Sequence, residues 1–143
     1  QLRIITNTPP SPIIIECDNA LFHQVITNLL SNAIKHSPSG KSITFNYTVI
    51  AQQLEFSIID QGVGLEHDKL DLVFNKFIQD QSMETGIGMG STGLGLAISK
   101  EIIEAHQGKI WAESPTDENT GGIFKISLPI SQNSIDINDI LTN

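Results

Sequence analysis

The chain has 143 residues and a formal net charge of −8, from 16 acidic against 8 basic side chains. That length fits one domain with a core of its own, since a chain of this size buries roughly 68–70 % of its unfolded surface without help from disulfides or a structural metal. The acidic balance, with Arg3 as the single arginine, excludes a nucleic-acid-binding surface, which needs clustered cations against phosphate.

No stretch approaches the ~20 apolar residues of a membrane span, and nothing after Gln1 has the form of a signal peptide. Because the chain opens with Gln1, its natural beginning is expected upstream, together with any membrane anchor of a longer parent. The single cysteine, Cys17, sits in an apolar run and reads as a small buried hydrophobe of a reducing compartment.

Residues 2–5 and 13–17 predict two short strands, separated by the break Pro9-Pro10-Ser11-Pro12. Asp18 or Asn19 then offers an N-cap for a helix of about five turns ending before Pro38. Its apolar residues Leu21, Phe22, Val25, Ile26, Leu29, Leu30, Ala33 and Ile34 form a broad helical stripe. Ile43, Phe45, Tyr47 and Val49 alternate with polar residues, and so do Leu54, Phe56 and Ile58. This predicts a hairpin of two half-buried strands, the second ending at Asp60.

Residues 66–77 predict a short helix with Leu70, Val73, Phe74 and Phe77 packed on one side. From 79 to 91 the apolar pattern stops and glycines stand at 86, 88 and 90; a loop of that length is functional or disordered. A further helix is expected from about Thr92 to His106, with Leu94, Ala97, Ile98, Ile102 and Ala105 inward. Residues 109–113 and 123–130 close the pattern as two strands, and 131–143 form a polar tail. The mixture lacks strict βαβ alternation, so the expected architecture is one mixed sheet with helices on one face.

Three features carry chemistry. On the first helix, at 100° per residue, Asn28, Asn32 and Lys35 fall within a ~60° wedge at one edge of the apolar stripe. Such a wedge is either a solvated polar face or a helix edge lining a cleft, with an amide oxygen for Mg²⁺ and an ammonium for phosphate. Asp60-Gln61-Gly62-Val63-Gly64 follows a strand. An acidic residue before Gly-x-Gly is either a plain turn or a carboxylate placed to accept from the exocyclic amine of adenine, with glycines that let the backbone approach the base. The third is Gly90-Ser91-Thr92-Gly93-Leu94-Gly95-Leu96, a glycine-rich run entering a helix. Its free N–H groups and the helix dipole suit an anion such as a triphosphate. It is neither a P-loop nor a dinucleotide fingerprint.

In this order and spacing the three features resemble the histidine-kinase branch of the ATPase superfamily shared with gyrase, MutL and the large ATP-dependent chaperones. QVITNLLSNAIK at 24–35 looks like that family's N box, Asp60 to Gly64 the G1 box, Phe74-Asn75-Lys76-Phe77 the F box and Gly90 to Leu96 the G2 box. Gly121-Gly122 with Phe124 and Leu128-Pro129 resembles the last glycine box and its closing strand. The likeness covers about residues 1–130, leaving 131–143 as a tail or linker.

The resemblance implies an α+β two-layer sandwich, the Bergerat ATP-binding fold, in which a mixed five-stranded sheet carries three helices on one face. It implies that Asn32 binds Mg²⁺, that Asn28 and Lys35 serve the phosphate side as catalytic residues, and that Asp60 takes the adenine amine with Gly62 and Gly64 beside it. His36, where relatives often have an aromatic, would lie near the nucleotide. The N–H groups around Gly93, Leu94 and Gly95, with Gly90, Ser91, Thr92 and Leu96, would hold the phosphates. Residues 79–91 would be the ATP lid, anchored by Phe74 and Phe77.

In the gyrase and chaperone relatives a glutamate stands one turn before the metal-binding Asn and activates water. Here Asn28 holds that place, and an amide takes no proton near neutral pH. Transfer to an imidazole needs no such base, because neutral histidine has a lone pair. The implied activity is transfer of the ATP γ-phosphate to a histidine on a separate dimerisation domain, within a two-component pathway. A response-regulator aspartate is the next acceptor. The implied parent is a homodimer with this domain on the cytoplasmic side, the isolated domain being a monomer.

The lid holds no Lys or Arg, and Lys76 is the candidate for that duty. Ile123 stands where relatives often have Ser or Thr. None of the four histidines has a phosphoacceptor context; His106, ending a helix, suits the dipole as a cation. Two other readings stay open at this point: a serine kinase of the anti-sigma type, and a degenerate nucleotide-binding module that signals by shape.

Overall fold

The computed structural model describes residues 2–7, 13–75, 95–115 and 121–130. In chain order these give β1 (Arg3–Asn7), α1 (Asn19–His36), β2 (Ser42–Ile50), β3 (Gln53–Ile59), two 3₁₀ turns (His67–Lys69 and Leu72–Phe74), α2 (Gly95–Ala105), β4 (Lys109–Glu113) and β5 (Ile123–Pro129). The strands form one five-stranded sheet in the order β1-β2-β3-β5-β4. β1 and β2 are parallel, joined by α1 as crossover, and the other pairs are antiparallel. The protein is therefore the expected α+β two-layer sandwich with a mixed sheet.

Register puts one apolar face together. Ile58 lies opposite Phe124, Phe56 opposite Ile126, Leu54 opposite Leu128, and Ile110 again opposite Ile126. Against that face pack Val25, Leu29 and Ala33 of α1 and Ile102 and Ile103 of α2. Phe22, Phe45, Tyr47 and Phe56 extend the core as a run of tilted and edge-on rings 5.6–6.4 Å apart. The opposite face is polar. There Lys125 sits between Glu55 at 3.7 Å and Glu113 at 3.2 Å. The Trp111 indole N–H, and then Lys125, hold the Glu113 carboxyl below its ordinary range.

Helix α1 starts where its sequence says. The Asp18 carboxylate accepts from the Leu21 N–H at 2.9 Å, which is an N-cap, and Lys35 and His36 occupy the last turn, where cations suit the dipole. Helix α2 ends in a Schellman motif: the Gly108 N–H bonds the Ile103 carbonyl at 2.9 Å and the Gln107 N–H that of Glu104 at 3.0 Å. Gln107 takes the left-handed position, φ 62°, which glycine occupies at less steric cost. Gln107→Gly is expected to stabilise the fold by about 0.5–1 kcal/mol and raise the melting temperature by roughly 2–4 °C. A melting temperature that stays put or falls in calorimetry contradicts this.

Five expectations need correction. The segment 13–17 forms no strand; its alternation is real, with Ile13, Ile15 and Cys17 half-buried and Ile14 and Glu16 exposed, but it records one-sided burial rather than pairing. Of the helix expected over 66–77, the described part, 66–75, takes the form of the two 3₁₀ turns, and Glu66 provides no side-chain cap bond to start an α-helix. In α2 the inward residues include Ser99 and Ile103 while Ala105 is exposed, because α2 packs on α1 as well as on the sheet. His106 is bonded as a neutral ring: its Nε2 accepts from the Asp18 N–H at 3.0 Å, so the proton sits on Nδ1, 2.7 Å from the Ile102 carbonyl oxygen.

Cys17 is half-buried rather than buried. Burial, and then the Asp18 carboxylate, push its thiol above the ordinary value, which keeps it a poor nucleophile.

Candidate functional site

The site is built around Asp60, which follows the last residue of β3. Its side chain is 4 % exposed, and an ionised group so deep needs bonded donors. They come from the backbone: the N–H groups of Gly62, at 2.9 Å, and Gly122, at 3.1 Å, both bond Oδ1. Backbone bonds from the Gly121 N–H to the Asp60 carbonyl, 2.8 Å, and from the Asp60 N–H to the Gly122 carbonyl, 3.1 Å, carry the β3–β5 ladder past the strand ends. Oδ2 takes neither side-chain bond and is the end of the carboxylate left to other partners.

Two glycines make that approach possible. A Cβ on Gly62 would overlap the His36 carbonyl oxygen, and one on Gly121 would overlap Asp60 Oδ1 and the Gly62 nitrogen. No side chain fits at either place unless backbone moves.

Helix α1 supplies the opposite wall. Asn32 and His36, one turn apart and both half-buried, line a cleft with Asp60, Gly64, Leu65 and Phe124. Phe74 packs edge-on against Phe124, one of the residues lining that cleft, ring centroids 6.0 Å apart. One turn back along α1, Asn28 reaches α2: its Nδ2 donates to the Gly95 carbonyl at 3.2 Å and to Ser99 Oγ at 3.3 Å. Gly95 is the first described residue of α2, so this bond ties the helix carrying Asn32 to the end of the glycine-rich run. Lys35 is exposed on the outer edge of α1.

The structure thus brings Asn32, His36, Asp60 and Gly64 to one cleft, with Gly62 behind it bonded to Asp60, and Asn28 and Gly95 into contact. Leu96 is half-buried and packs on the core. Lys76, Phe77, Gly90, Ser91, Thr92, Gly93 and Leu94 lie outside the described residues, as do positions 79–91 of the expected lid. Among the described residues no group of three His, Cys, Asp or Glu side chains could hold a metal. A single amide such as Asn32 fits instead a Mg²⁺ ion that keeps most of its waters and is bound chiefly through phosphates.

Sequence reasoning missed three contributors. Gly122 was visible in the last glycine box, but only the fold shows that its N–H serves Asp60. Ser114, whose hydroxyl accepts from the Leu65 N–H at 2.9 Å, and Ser99 give no sequence signal, since a lone serine reads as solvated.

This arrangement of sheet, helix and glycine turns defines a class of nucleotide-binding proteins, and residues 17–132 match the family described as "Histidine kinase-, DNA gyrase B-, and HSP90-like ATPase". The chain belongs to that family. It is 36 % identical over 138 residues to the sensor histidine kinase WalK of Bacillus subtilis, covering 95 % of this chain and 22 % of that protein. It is 39 % identical over 127 residues to the sensor protein KdpD of Clostridium acetobutylicum, covering 89 % and 14 %. The chain therefore spans about a fifth or less of the length of these relatives. Among solved structures, the mycobacterial sensor histidine kinase MprB superposes with a TM-score of 0.74 at 27 % identity, covering 91 % of this chain and 81 % of that one. Among the described residues no helix is long and apolar enough to cross a membrane.

Proposed function

We propose that this chain is the ATP-binding catalytic domain of a two-component sensor histidine kinase, a protein-histidine kinase that transfers the γ-phosphate of Mg-ATP to a histidine on a separate dimerisation domain. The observation that carries the reading is that α1 borders the Asp60 cleft and, one turn back, bonds the start of α2. Asn32 and His36 stand across the cleft from Asp60, and Asn28 holds the first described residue of α2. A purine over Asp60 and a phosphate chain running towards the α2 N-terminus would follow that helix edge.

In this reading Asp60 Oδ2 accepts from the adenine amine, Asn32 ligates Mg²⁺, and Asn28 and Lys35 serve the phosphates. Gly62 and Gly64 let the base approach, and His36 borders it. Gly90, Ser91, Thr92, Gly93, Leu94, Gly95 and Leu96 cradle the phosphates through backbone N–H groups, with Lys76 and Phe77 at the lid. Phosphoryl transfer then rests on positioning and charge stabilisation, and Asn28, which cannot deprotonate water, favours transfer over hydrolysis. The domain runs to about residue 130, with 131–143 as a tail or linker. Its partners are the dimerisation domain of its own parent, a membrane-anchored homodimer, and a response-regulator receiver domain on the cytoplasmic side.

Incubation with γ-labelled ATP and the parent's dimerisation domain tests the reading. Acid-labile, base-stable label on that domain is expected, and Asn32→Ala is expected to lose more than the ~10–100-fold in metal-dependent binding that removing a hydrogen-bond partner of a metal ligand costs. Acid-stable label would mean a serine kinase, and no label a silent binder. Either result overturns the proposed activity.

A further inference from the structure

Ser99 lies in the middle of α2, fully buried at 0 % exposure, and nothing in the proposed chemistry uses it. Its hydroxyl donates to the Gly95 carbonyl one turn back at 2.8 Å. On its own that is the ordinary way a mid-helix serine satisfies itself. The unusual part is the third member. Asn28, coming from α1, places its Nδ2 3.2 Å from the same carbonyl and 3.3 Å from the same hydroxyl oxygen.

The chemistry of the three groups fixes the amide's orientation. The Gly95 carbonyl can only accept. The Ser99 proton is already given to that carbonyl, so Oγ also presents a lone pair towards α1. A carboxamide can rotate by half a turn about its last bond and exchange its two ends, but here its oxygen would meet two acceptors, so only the NH₂ end fits. The two acceptors are 2.8 Å apart, too close for two N–H bonds that diverge by about 120°, so they share one hydrogen. The other N–H and the carbonyl oxygen Oδ1 are left outside this triangle.

We propose that Ser99 is a positioning residue for nucleotide binding: with the Gly95 carbonyl it locks the Asn28 carboxamide in one orientation and ties it to the first turn of α2. The inference rests on Asn28 having a role at the nucleotide, as proposed above. With Ser99 gone, the amide keeps one acceptor instead of two and α2 loses the tether on its opening carbonyl. Asn28 then spends part of its time turned or unbound, and ordering it again weakens binding.

The test is a double-mutant cycle on the 143-residue chain, reading Mg-ATP affinity by calorimetry, melting temperature, and the Asn28 side-chain NH₂ signals by ¹H–¹⁵N NMR. Losing one hydrogen bond's net contribution, Ser99→Ala is expected to weaken Mg-ATP binding roughly threefold to tenfold. It should also shift the Asn28 NH₂ signals towards those of a free amide. In an Asn28→Ala background the same substitution should cost nothing further, because the group it positions is absent. The inference is overturned if Ser99→Ala leaves affinity and the NH₂ signals unchanged, or if its effect on affinity is as large without Asn28 as with it, which is the mark of a merely structural residue. If Asn28→Ala alone leaves affinity untouched, the role assigned to Asn28 fails first and this inference falls with it.

Discussion

Asp60→Asn is expected to lower ATP affinity by about 100-fold while leaving the domain folded. The substitution nearly preserves shape, and the new Oδ1 can still accept from the Gly62 and Gly122 N–H groups that hold the carboxylate at 2.9 and 3.1 Å. What changes is the other end. In the proposed site Oδ2, an acceptor, becomes an NH₂ that would face the adenine amine donor to donor. A pair of polar groups held in contact with no acceptor between them costs about 2–3 kcal/mol, or roughly 30- to 150-fold in affinity. Some stability goes too, because a neutral acceptor bonds backbone N–H groups less strongly than a carboxylate. Calorimetric titration beside a thermal melt separates the two effects. Unchanged affinity in a folded Asp60→Asn variant would remove Asp60 from the base-recognition role.

The second large effect is expected of Gly121→Ala. The added methyl overlaps Asp60 Oδ1 and the Gly62 nitrogen at once, and neither is the far end of a flexible side chain. Oδ1 is pinned by two backbone donors, and Gly62 itself lies against the His36 carbonyl of α1. Relief requires the β3 exit, the β5 entry or α1 to move, so the strain belongs with overpacking of a closed core. The expected cost is about 2–3 kcal/mol, a fall of roughly 6–12 °C in melting temperature, with ATP binding lost as the carboxylate is displaced. Since the fold itself is weakened, the informative comparison is with Asp60→Asn. Gly121→Ala should lose both stability and binding, Asp60→Asn mainly binding. A melt of Gly121→Ala within 2 °C of the parent chain would mean that the turn is looser than the structure places it.

Most of the fold was legible because its signals are local and repeated. The α1 stripe and the alternations of β2 and β3 each repeat several times within one element, and Asp18 adds a local cap signal. What escaped depended on long-range contacts. The alternation in 13–17 reports that one side is buried, and no local pattern says whether a strand lies alongside. The β2–β3 hairpin was legible, but the positive φ of its turn residues Ala51 and Gln52, 50° and 62°, was not, because they lack the Asn-Gly or Gly-Gly that marks such turns. Of the candidate site, the Asn and Asp were readable through their positions at a helix edge and a strand end. The donors that hold Asp60 come from 2 and 62 residues away, and the partners of Asn28 from 67 and 71. Only folding brings them together.

The central claim is that α1, Asp60 and the start of α2 bind one nucleotide between them. Titrating the ¹⁵N-labelled chain with Mg-ATP tests it most directly. The backbone amides of Gly62, Gly122 and Gly95 and the side-chain amides of Asn28 and Asn32 should all shift along a single binding curve with one Kd. Curves with different Kd values for the Asp60 turn and for Asn28, or no shift at either, would contradict it.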